Sequence, residues 1–261
     1  EIEALAGRAP KLILTLDEAM ATGEFADDSG NGNTGICAGT NCPTAGVKGQ
    51  LGLAVDFDGV DDYLALEHTP SLMPADEMTL ITWVKATDPD VDQKLIGKST
   101  IGDGYVLGLK DGQLYPEIWD SAGNQYWSQW GRINAETWTF LAVTWKTDGE
   151  MVGYINGEVA GRVDAGSQPI GANSNRLIVG AAPWNINNFA VNGRVDHVVL
   201  YHRALSEQEM RALFRLQAKW VEERQSTDIT VDADVPSSIL ISDDVYRPDT
   251  DAMLLARTED E

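Results

Sequence analysis

The chain has 261 residues, of which 43% are hydrophobic, so it can bury the core of one large domain or of one domain with a small companion. Its 41 acidic and 19 basic residues give a net charge of −22, which argues against a nucleic acid partner because contacts to phosphate need Lys and Arg. The same charge disfavours an anionic membrane surface, and no apolar run approaches the roughly 20 residues needed to cross a bilayer, so we expect no membrane insertion.

Residues 1–9 are predicted to be a linker and lack the features of an export signal. After this linker, short β-rich runs separated by glycine and turn dipeptides fill residues 10 to 205. Asp111-Gly112 and Asn156-Gly157 each join two such runs, which is typical of a β-hairpin. Many short strands with few helical windows indicate an all-β sandwich. The predicted strands are Lys11–Leu16, Thr79–Lys85, Gly104–Leu109, Leu114–Trp119, Thr137–Trp145, Val152–Ile155, Val159–Val163, Leu177–Val179 and Gly193–Tyr201.

The two cysteines, Cys37 and Cys42, enclose the loop Ala-Gly-Thr-Asn. A disulfide across so short a loop is geometrically feasible and is typical of an oxidising compartment. Two free thiols are the alternative, whereas a zinc site has too few ligands because no histidine lies nearby in sequence. We favour the disulfide, and together with the acidic composition it indicates an extracellular or cell-surface protein.

An acidic turn spans Asp56 to Tyr63, between the apolar run Leu51–Val55 and the alternating run Tyr63–Leu66. The dipeptide Asp58-Gly59 accounts for a tight turn between two strands. The cluster of aspartates needs a second explanation, because like charges so close together repel unless they face water or share a cation.

The hydrophobic period changes near the end of the β-rich region to that of an amphipathic helix, which we predict over residues 206–223. Ser206 is a good N-cap, and Glu209 three residues later completes a capping box. Met210 and Leu213 begin an apolar stripe at helical spacing. We expect this stripe to pack on the edge of the sandwich, with a partner-binding face as the alternative.

Residues 225–261 contain ten acidic and two basic residues and are too short for a core of their own. We predict an acidic, extended linker or tail, or the first strands of a following module. Any ordered strand in this segment would have to pair with another sheet, which a neighbouring copy would supply by self-association through residues 225–261.

Several motifs, taken together and in this order, resemble laminin-G-like domains of the concanavalin A-like lectin superfamily. The resemblance covers about residues 10 to 216 and implies a two-sheet antiparallel jelly-roll sandwich over residues 10–224, with a binding or adhesive role more often than a catalytic one. It does not fix the ligand, because fold and function separate readily. The motifs are Asp28–Gly35, Val55–Tyr63, Ile81–Lys85, Trp138–Thr144, Tyr154–Gly157 and, as the most specific, Gly193–Ser206.

The resemblance also implies a calcium site in many family members, formed where the loop after Asp28 lies beside the Phe-Asp-Gly turn and a late aspartate. Ca²⁺ takes six to eight oxygen ligands, and carboxylate, amide and carbonyl oxygens are abundant in these segments. The alternative is a turn-forming loop with a buried hydrogen-bonding aspartate and no metal. The expected Ca²⁺ ligands are Asp28, Asn31, Asn33, Asp58 and Asp196.

Two polar segments rich in tryptophan are candidates for a sugar site. Such sites combine a flat aromatic ring with amide and carboxylate side chains that bind hydroxyl groups. Packing at the rim of the sandwich is the alternative for each residue. The candidate ligand-binding residues are Asn124, Trp127, Trp130, Trp184 and Asn187.

Catalysis has little support in the sequence. Glycosidases of this superfamily need two carboxylates on one face, whereas the spacing of Glu117 and Asp120 predicts that they face opposite sides of a strand. No nucleophile motif and no phosphate loop occurs. We therefore expect a calcium-stabilised recognition or adhesion module from a larger surface protein, not an enzyme, with a glycan or another surface ligand as its partner. The second hypothesis is a structural repeat of a surface layer or filament, joined through its C-terminal strands, and the third is a polysaccharide-degrading enzyme.

Overall fold

The structure, a computed structural model, describes residues 9–19, 23–100 and 102–226, with side chains described as far as Lys219. The linker predicted over residues 1–9 lies outside the described residues except for its last position. The tail predicted over residues 225–261, and the self-association proposed through it, lie outside them except for the first two positions, which belong to a helix.

Two antiparallel sheets form a sandwich, which confirms the predicted all-β, jelly-roll class. Within the described residues, one α-helix, α1 (Glu207–Ser226), follows the last strand. The strands are β1 (Leu12–Leu14), β2 (Glu24–Phe25), β3 (Gly35–Ile36), β4 (Thr44–Lys48), β5 (Leu53–Asp58), β6 (Leu64–Leu66), β7 (Glu77–Ala86), β8 (Gln93–Thr100), β9 (Asp103–Lys110), β10 (Gln113–Trp119), β11 (Gln125–Trp127), β12 (Thr139–Lys146), β13 (Glu150–Ile155), β14 (Glu158–Asp164), β15 (Leu177–Val179) and β16 (Asn192–Tyr201).

The first sheet has the strand order β14-β13-β12-β7-β16-β5-β4, and β1 pairs with β16 beyond the end of β5. The second sheet has the order β11-β10-β9-β8-β15-β6-β3-β2. Strand β16 is therefore an interior strand of the first sheet and pairs with β5, β7 and β1 along its length.

Both predicted hairpins are present. Asp111 and Gly112 connect β9 to β10 with φ values of 52° and 74°, and Asn156 and Gly157 connect β13 to β14 with φ values of 51° and 75°. Positive φ at both central residues is the signature of the type I′ turn, whose twist matches that of the flanking strands.

Strand β8 is absent from the sequence prediction although every residue from Gln93 to Ser99 is buried. The strand includes Lys94 and Lys98, and two buried lysines break the apolar alternation by which strands are recognised. Both side chains are satisfied in the structure, since Lys94 pairs with Asp92 and Lys98 donates a hydrogen bond to the carbonyl oxygen of Asn175. Buried lysines are tolerated when paired in this way.

The main core lies between the two sheets and contains aliphatic residues from nearly every strand. A second apolar layer lies between the outer face of the first sheet and α1, where Trp83 meets Phe214 with ring centroids 5.8 Å apart. The indole Nε1 of Trp83 donates a hydrogen bond of 2.7 Å to Gln217 Oε1. The apolar stripe of the helix therefore packs on the sandwich, as predicted, but it covers the outer face of the first sheet rather than the edge of the sandwich.

The capping box at the start of α1 is also confirmed. The Ser206 amide donates to Glu209 Oε2 at 2.7 Å, and the Glu209 amide donates back to Ser206 Oγ at 3.3 Å. The helix continues to Ser226, beyond the predicted end at residue 223.

A β-bulge interrupts β16. Asp196 lies opposite Trp83 of β7, but the next paired residue, Val199, lies opposite Ile81, so β16 carries one extra residue. His197 sits in this bulge with a φ of 55°, a conformation that non-glycine residues rarely adopt.

The disulfide between Cys37 and Cys42 is present, with a Cα–Cα distance of 5.0 Å. The loop that it closes contacts the acidic turn, because Asn41 Nδ2 donates to Asp61 Oδ2 at 3.0 Å and the Tyr63 amide donates to the Asn41 carbonyl at 3.1 Å. The bridge thus fixes one side of that turn.

Candidate functional site

The acidic turn after β5 brings three carboxylates together. Asp58, Asp61 and Asp62 each offer an oxygen atom, and these atoms lie within 4.8 Å of one another. Asp58 Oδ1 accepts from the Val60 amide at 2.7 Å, and Asp62 Oδ2 accepts from the Asp58 amide at 2.9 Å. The turn is held by its own carboxylates, with at least one oxygen on each aspartate bonded inside the protein.

Asp62 is the buried member of this cluster, at 5% exposure. Burial raises the pKa of Asp62, and the charges of Asp58 and Asp61 raise it further, whereas the hydrogen bond from the Asp58 amide lowers it. A cation bound here would relieve this repulsion. The donor set of three carboxylates suits Ca²⁺ in chemistry, although Ca²⁺ would need carbonyl or water oxygens in addition.

The five predicted Ca²⁺ ligands do not come together in one site. Asp58 lies opposite Asn192 in the register of β5 and β16, whereas Asp196 lies four residues further along β16. At a rise of about 3.3 Å per residue the two positions are roughly 13 Å apart along the sheet. The loop of Asp28, Asn31 and Asn33 lies further on still, against Lys11, whose amide bonds to the Leu200 carbonyl.

Asp196 is fully buried and holds a neighbouring loop rather than facing a cation site. Its Oδ2 atom accepts hydrogen bonds of 2.8 Å from the amides of both Gln50 and Leu51. Its Oδ1 atom has no hydrogen-bond partner and lies 3.7 Å from Nδ1 of His197. This arrangement matches the alternative in which the residue is a buried hydrogen-bond acceptor.

In the loop after β2, the organising carboxylate is Asp27 rather than the predicted Asp28, which is exposed. Asp27 Oδ1 accepts from the amides of Ile13 and Ser29, both at 3.0 Å, and Oδ2 accepts from the Asn33 amide at 2.8 Å. The sequence gives no sign of which of the two adjacent aspartates turns inward.

The amide side chains of the same loop are already bonded. Asn31 Nδ2 and Asn33 Nδ2 both donate to the Lys11 carbonyl. Asn33 Oδ1 accepts from the hydroxyl groups of Thr69 and Ser71, at 2.5 and 2.9 Å. The loop is therefore closed on itself by hydrogen bonds, as in the alternative of a purely conformational loop.

A second group of polar and aromatic residues lies on the outer face of the second sheet. On β10, Leu114 and Ile118 point into the core, so the alternating residues Tyr115 and Glu117 point outward. Trp127 of the edge strand β11 lies directly opposite Glu117 in the register and is 50% exposed. We call the group of Lys94, Tyr115, Glu117, Trp127 and Phe189 the aromatic face.

Lys94 runs across this face toward Tyr115. Gly108 of β9 pairs with both residues, so no side chain separates the lysine from the ring. The Lys94 ammonium lies 4.3 Å from the Tyr115 ring centroid and 5.1 Å from that of Phe189, and it forms an ion pair of 2.6 Å with Asp92. Cation–π contacts and the ion pair together compensate the burial of this charge.

Glu117 is the buried carboxylate of the aromatic face. Burial raises its pKa, and the hydrogen bond from Gln125 Nε2 and the charge of Lys94 act against that increase. The Tyr115 and Trp127 rings lie beside it, with their centroids 5.9 Å apart and their planes inclined by 46°. The face thus presents hydrogen-bonding groups next to an accessible indole ring.

Phe189 closes the other side of the aromatic face. Its φ of 57° is unusual for a phenylalanine, and its carbonyl accepts a hydrogen bond of 2.9 Å from the Lys94 amide. Its ring is 38% exposed and packs edge-on against Trp184, at a centroid distance of 6.2 Å. Strained backbone at an exposed aromatic residue is often associated with a binding site.

The five predicted sugar-binding residues divide between this face and other places. Trp127 belongs to the aromatic face, and Trp184 contacts it through Phe189. Asn187 is exposed in the same loop as Trp184. Asn124 instead donates through Nδ2 to Asp120 at 2.9 Å.

Trp130, the remaining member of that set, is a packing residue. Its indole ring covers Gly153 and Gly161, and its backbone pairs with Leu114 of the second sheet. Sequence reasoning missed Lys94 and Phe189, and it considered Glu117 only as a catalytic acid. The signal that was available is the glycine at Gly108, which leaves an open position on an outer face.

The side chains of Glu117 and Asp120 point to opposite faces of the second sheet, as predicted. Glu117 contacts Gln125 on the aromatic face, whereas Asp120 accepts a bond from the hydroxyl of Tyr126, whose ring packs on Trp145 in the core. Burial disfavours the charged form of Asp120, but the hydrogen bonds from Asn124 and Tyr126 outweigh it and hold the pKa of Asp120 below its ordinary value.

A family model described as the concanavalin A-like lectin/glucanases superfamily matches residues 58–211. No curated protein matches the chain in sequence. Among the described residues, no helix is long and apolar enough to cross a membrane.

Solved structures with a similar fold include bacterial toxin binding domains. The binding domain of Paraclostridial Mosquitocidal Protein 1 has a TM-score of 0.63 and 18% identity, with 80% of this chain and 52% of that chain covered. The Botulinum Neurotoxin serotype G binding domain has a TM-score of 0.62 and 13% identity, covering 80% of this chain and 51% of that one.

A structure of botulinum neurotoxin type C has a TM-score of 0.61 and 12% identity, with 83% of this chain and 53% of that chain covered. That toxin depends on interaction with two ganglioside molecules to enter cells. The present chain spans about half the length of these three structures. At such low identity the likeness shows the fold alone.

Proposed function

Because the chain belongs to the concanavalin A-like lectin/glucanases superfamily, we propose that it is a carbohydrate-binding module whose ligand lies on the aromatic face. The observation that carries this proposal is the indole of Trp127, which is 50% exposed beside the buried polar side chains of Glu117 and Lys94. A sugar ring can stack its C–H groups on an aromatic ring while its hydroxyl groups bind to neighbouring polar atoms.

The polar groups around Trp127 supply both donors and acceptors. Glu117 and Asp92 offer carboxylate oxygens, and Lys94 and Gln125 offer N–H groups. They are held in place by one another before a ligand arrives, which lowers the entropy cost of binding. The ganglioside dependence of the structurally similar type C neurotoxin supports a glycan-type ligand.

A binding role is better supported than a catalytic one. The two acids that precede Trp127 most closely in sequence, Glu117 and Asp120, are each hydrogen-bonded, and their side chains point to opposite faces of the second sheet. A glycosidase would need two carboxylates facing the same sugar, and of the two near Trp127, Glu117 and Asp92, the second is held in an ion pair with Lys94. The disulfide supports an extracellular or cell-surface location, where a module of this kind would serve recognition or adhesion.

A structural Ca²⁺ ion at the acidic turn is a second part of the proposal. Asp58, Asp61 and Asp62 would hold it, and it would supply positive charge where three carboxylates converge. Its role would be to stabilise the turn next to the disulfide loop.

The glycan proposal is tested by titrating the full chain against an array of oligosaccharides. We expect Trp127→Ala to weaken binding at least tenfold, because the stacking surface is lost. Ile36→Ala is the matched control, since Ile36 is 42% exposed and lies on β3 at the other end of the same sheet. Unchanged binding by the Trp127 variant, or equal losses in both variants, would remove the aromatic face from the proposal.

A further inference from the structure

The charge next to Trp127 bears on which glycans the aromatic face can accept. Glu117 lies directly across from Trp127 in the β10–β11 register, and side chains so paired have Cβ atoms about 5 Å apart. A sugar stacked on the Trp127 indole would therefore lie next to the Glu117 carboxyl group. Any acidic substituent on that sugar would approach a group of the same charge.

Two basic side chains in this part of the sheet are engaged with acidic neighbours. The Lys94 ammonium is paired with Asp92 at 2.6 Å and is only 3% exposed. Arg132, beside the turn between β9 and β10, forms an ion pair with Asp90 and donates to the Asp111 carbonyl. A ligand carboxylate would have to compete with these existing pairs.

Lys110 is a third basic side chain of this region, with its ammonium 5.4 Å from the Tyr115 ring centroid. Its positive charge acts on Glu117, where it favours the ionised carboxylate. The positive charge of Lys110 is therefore already partly offset by the carboxylate of Glu117 before a ligand binds. The net charge of −22 over the whole chain adds a long-range field of the same sign.

We infer that the aromatic face selects uncharged glycans and discriminates against sialylated or uronic acid-containing ones, with Glu117 as the specificity-determining residue. This inference rests on the proposed carbohydrate-binding function. Neutral hydroxyl groups can use the same carboxylate and ammonium groups as hydrogen-bond partners without bringing a second negative charge beside Glu117. Specificity of this kind comes from a repulsive element as well as from favourable contacts.

The test uses the full chain and matched pairs of oligosaccharides, each neutral sugar and its terminally sialylated counterpart, at low and physiological ionic strength. We expect every neutral sugar that binds to be preferred over its counterpart by at least tenfold, with a smaller ratio at higher salt. Glu117→Gln retains hydrogen-bonding groups but removes the charge, and it should reduce the ratio to about threefold or less. Glu67→Gln makes the same change in net charge at an exposed position after β6 and should leave the ratio unchanged.

Equal or tighter binding of the sialylated sugars would overturn the inference and leave the carbohydrate-binding proposal standing. A ratio that does not change in the Glu117→Gln variant would overturn the role of Glu117. If no oligosaccharide of either class binds, the proposed function itself fails, and the inference fails with it.

Discussion

The indole ring of Trp130 occupies the space where a side chain at Gly161 would be. A Cβ atom added to Gly161 would lie 2.2 Å from Cδ1 of Trp130, and one added to Gly153, its partner in the register, would lie 2.3 Å from Cε3. The two facing glycines thus leave a flat backbone surface on which the ring of one tryptophan packs. Because Trp130 also pairs with Leu114, this contact ties the edge of the first sheet to the second.

We expect Gly161→Ala to lower the free energy of unfolding by about 1 to 3 kcal/mol, because the added methyl group would force the Trp130 ring away from β14. Chemical denaturation measures this change. In a Trp130→Ala background the same substitution should cost little, since the obstructing ring is gone. Equal costs in the two backgrounds would show that the two residues do not interact.

Removal of the disulfide should destabilise the protein. Replacing Cys37 and Cys42 by serine releases a short loop, and the chain-entropy relation gives a loss of about 2 kcal/mol for a loop of this size. The measurement is the Tm of the double variant against that of the oxidised protein. Because the loop contacts the acidic turn through Asn41, we also expect the amides of Asp61 to Tyr63 to exchange hydrogen faster. An unchanged Tm would contradict this prediction.

The stability of the protein should depend on pH through Glu117. Burial raises the pKa of Glu117, so between its unfolded and folded pKa values the folded state holds more protons than the unfolded state. The contribution of Glu117 to the free energy of unfolding therefore falls as pH rises through that window and is level above it. The Glu117→Gln variant lacks this titration.

The measurable quantity is the free energy of unfolding of the Glu117→Gln variant minus that of the original protein. We expect this difference to increase from pH 4 toward neutral pH, as ionisation of Glu117 begins to cost the original protein stability. A difference that is constant across the range would mean that the carboxyl group titrates alike in both states.

Calcium should raise the Tm if the acidic turn binds it. At a free Ca²⁺ concentration of one hundred times Kd, binding to the folded state alone adds about 2.7 kcal/mol to the free energy of unfolding. Asp61→Asn is expected to reduce this gain, because Asp61 is one of the three converging carboxylates. Asp196→Asn serves as the comparison, since Asp196 lies elsewhere on β16 and should leave the calcium effect intact. Identical melting curves with Ca²⁺ and with chelator would exclude the site.

Most of the sandwich could be predicted from the sequence because its strands follow simple alternation or end in recognisable turns. The hairpin at Asn156-Gly157 and the capping box at Ser206 are local signals, and local signals depend little on the rest of the fold. Strand β8 could not be recognised in this way. Its burial of Lys94 depends on Asp92 and on Tyr115 in another strand, and no local pattern reveals such a partner.

The candidate sites were less predictable for the same physical reason. Asp58 and Asp196 lie on the paired strands β5 and β16. Only the register shows that Asp58 lies opposite Asn192, four residues before Asp196, so that the two aspartates are not neighbours. Trp127 and Trp130 are three residues apart and are both surrounded in sequence by polar residues. One is half exposed and the other covers two glycines, and this difference depends on strands β13 and β14 far along the chain.

The bulge in β16 has a consequence for how this strand tolerates insertion and deletion. Val195, Val198 and Leu200 all point into the core, and Asp196 and Val199 point away from it. If His197 were removed, these five residues would alternate without interruption, and every existing partner on β7 could be kept. The strand is therefore a regular pleat with one residue inserted, and the left-handed backbone of His197 is the local cost of accommodating it.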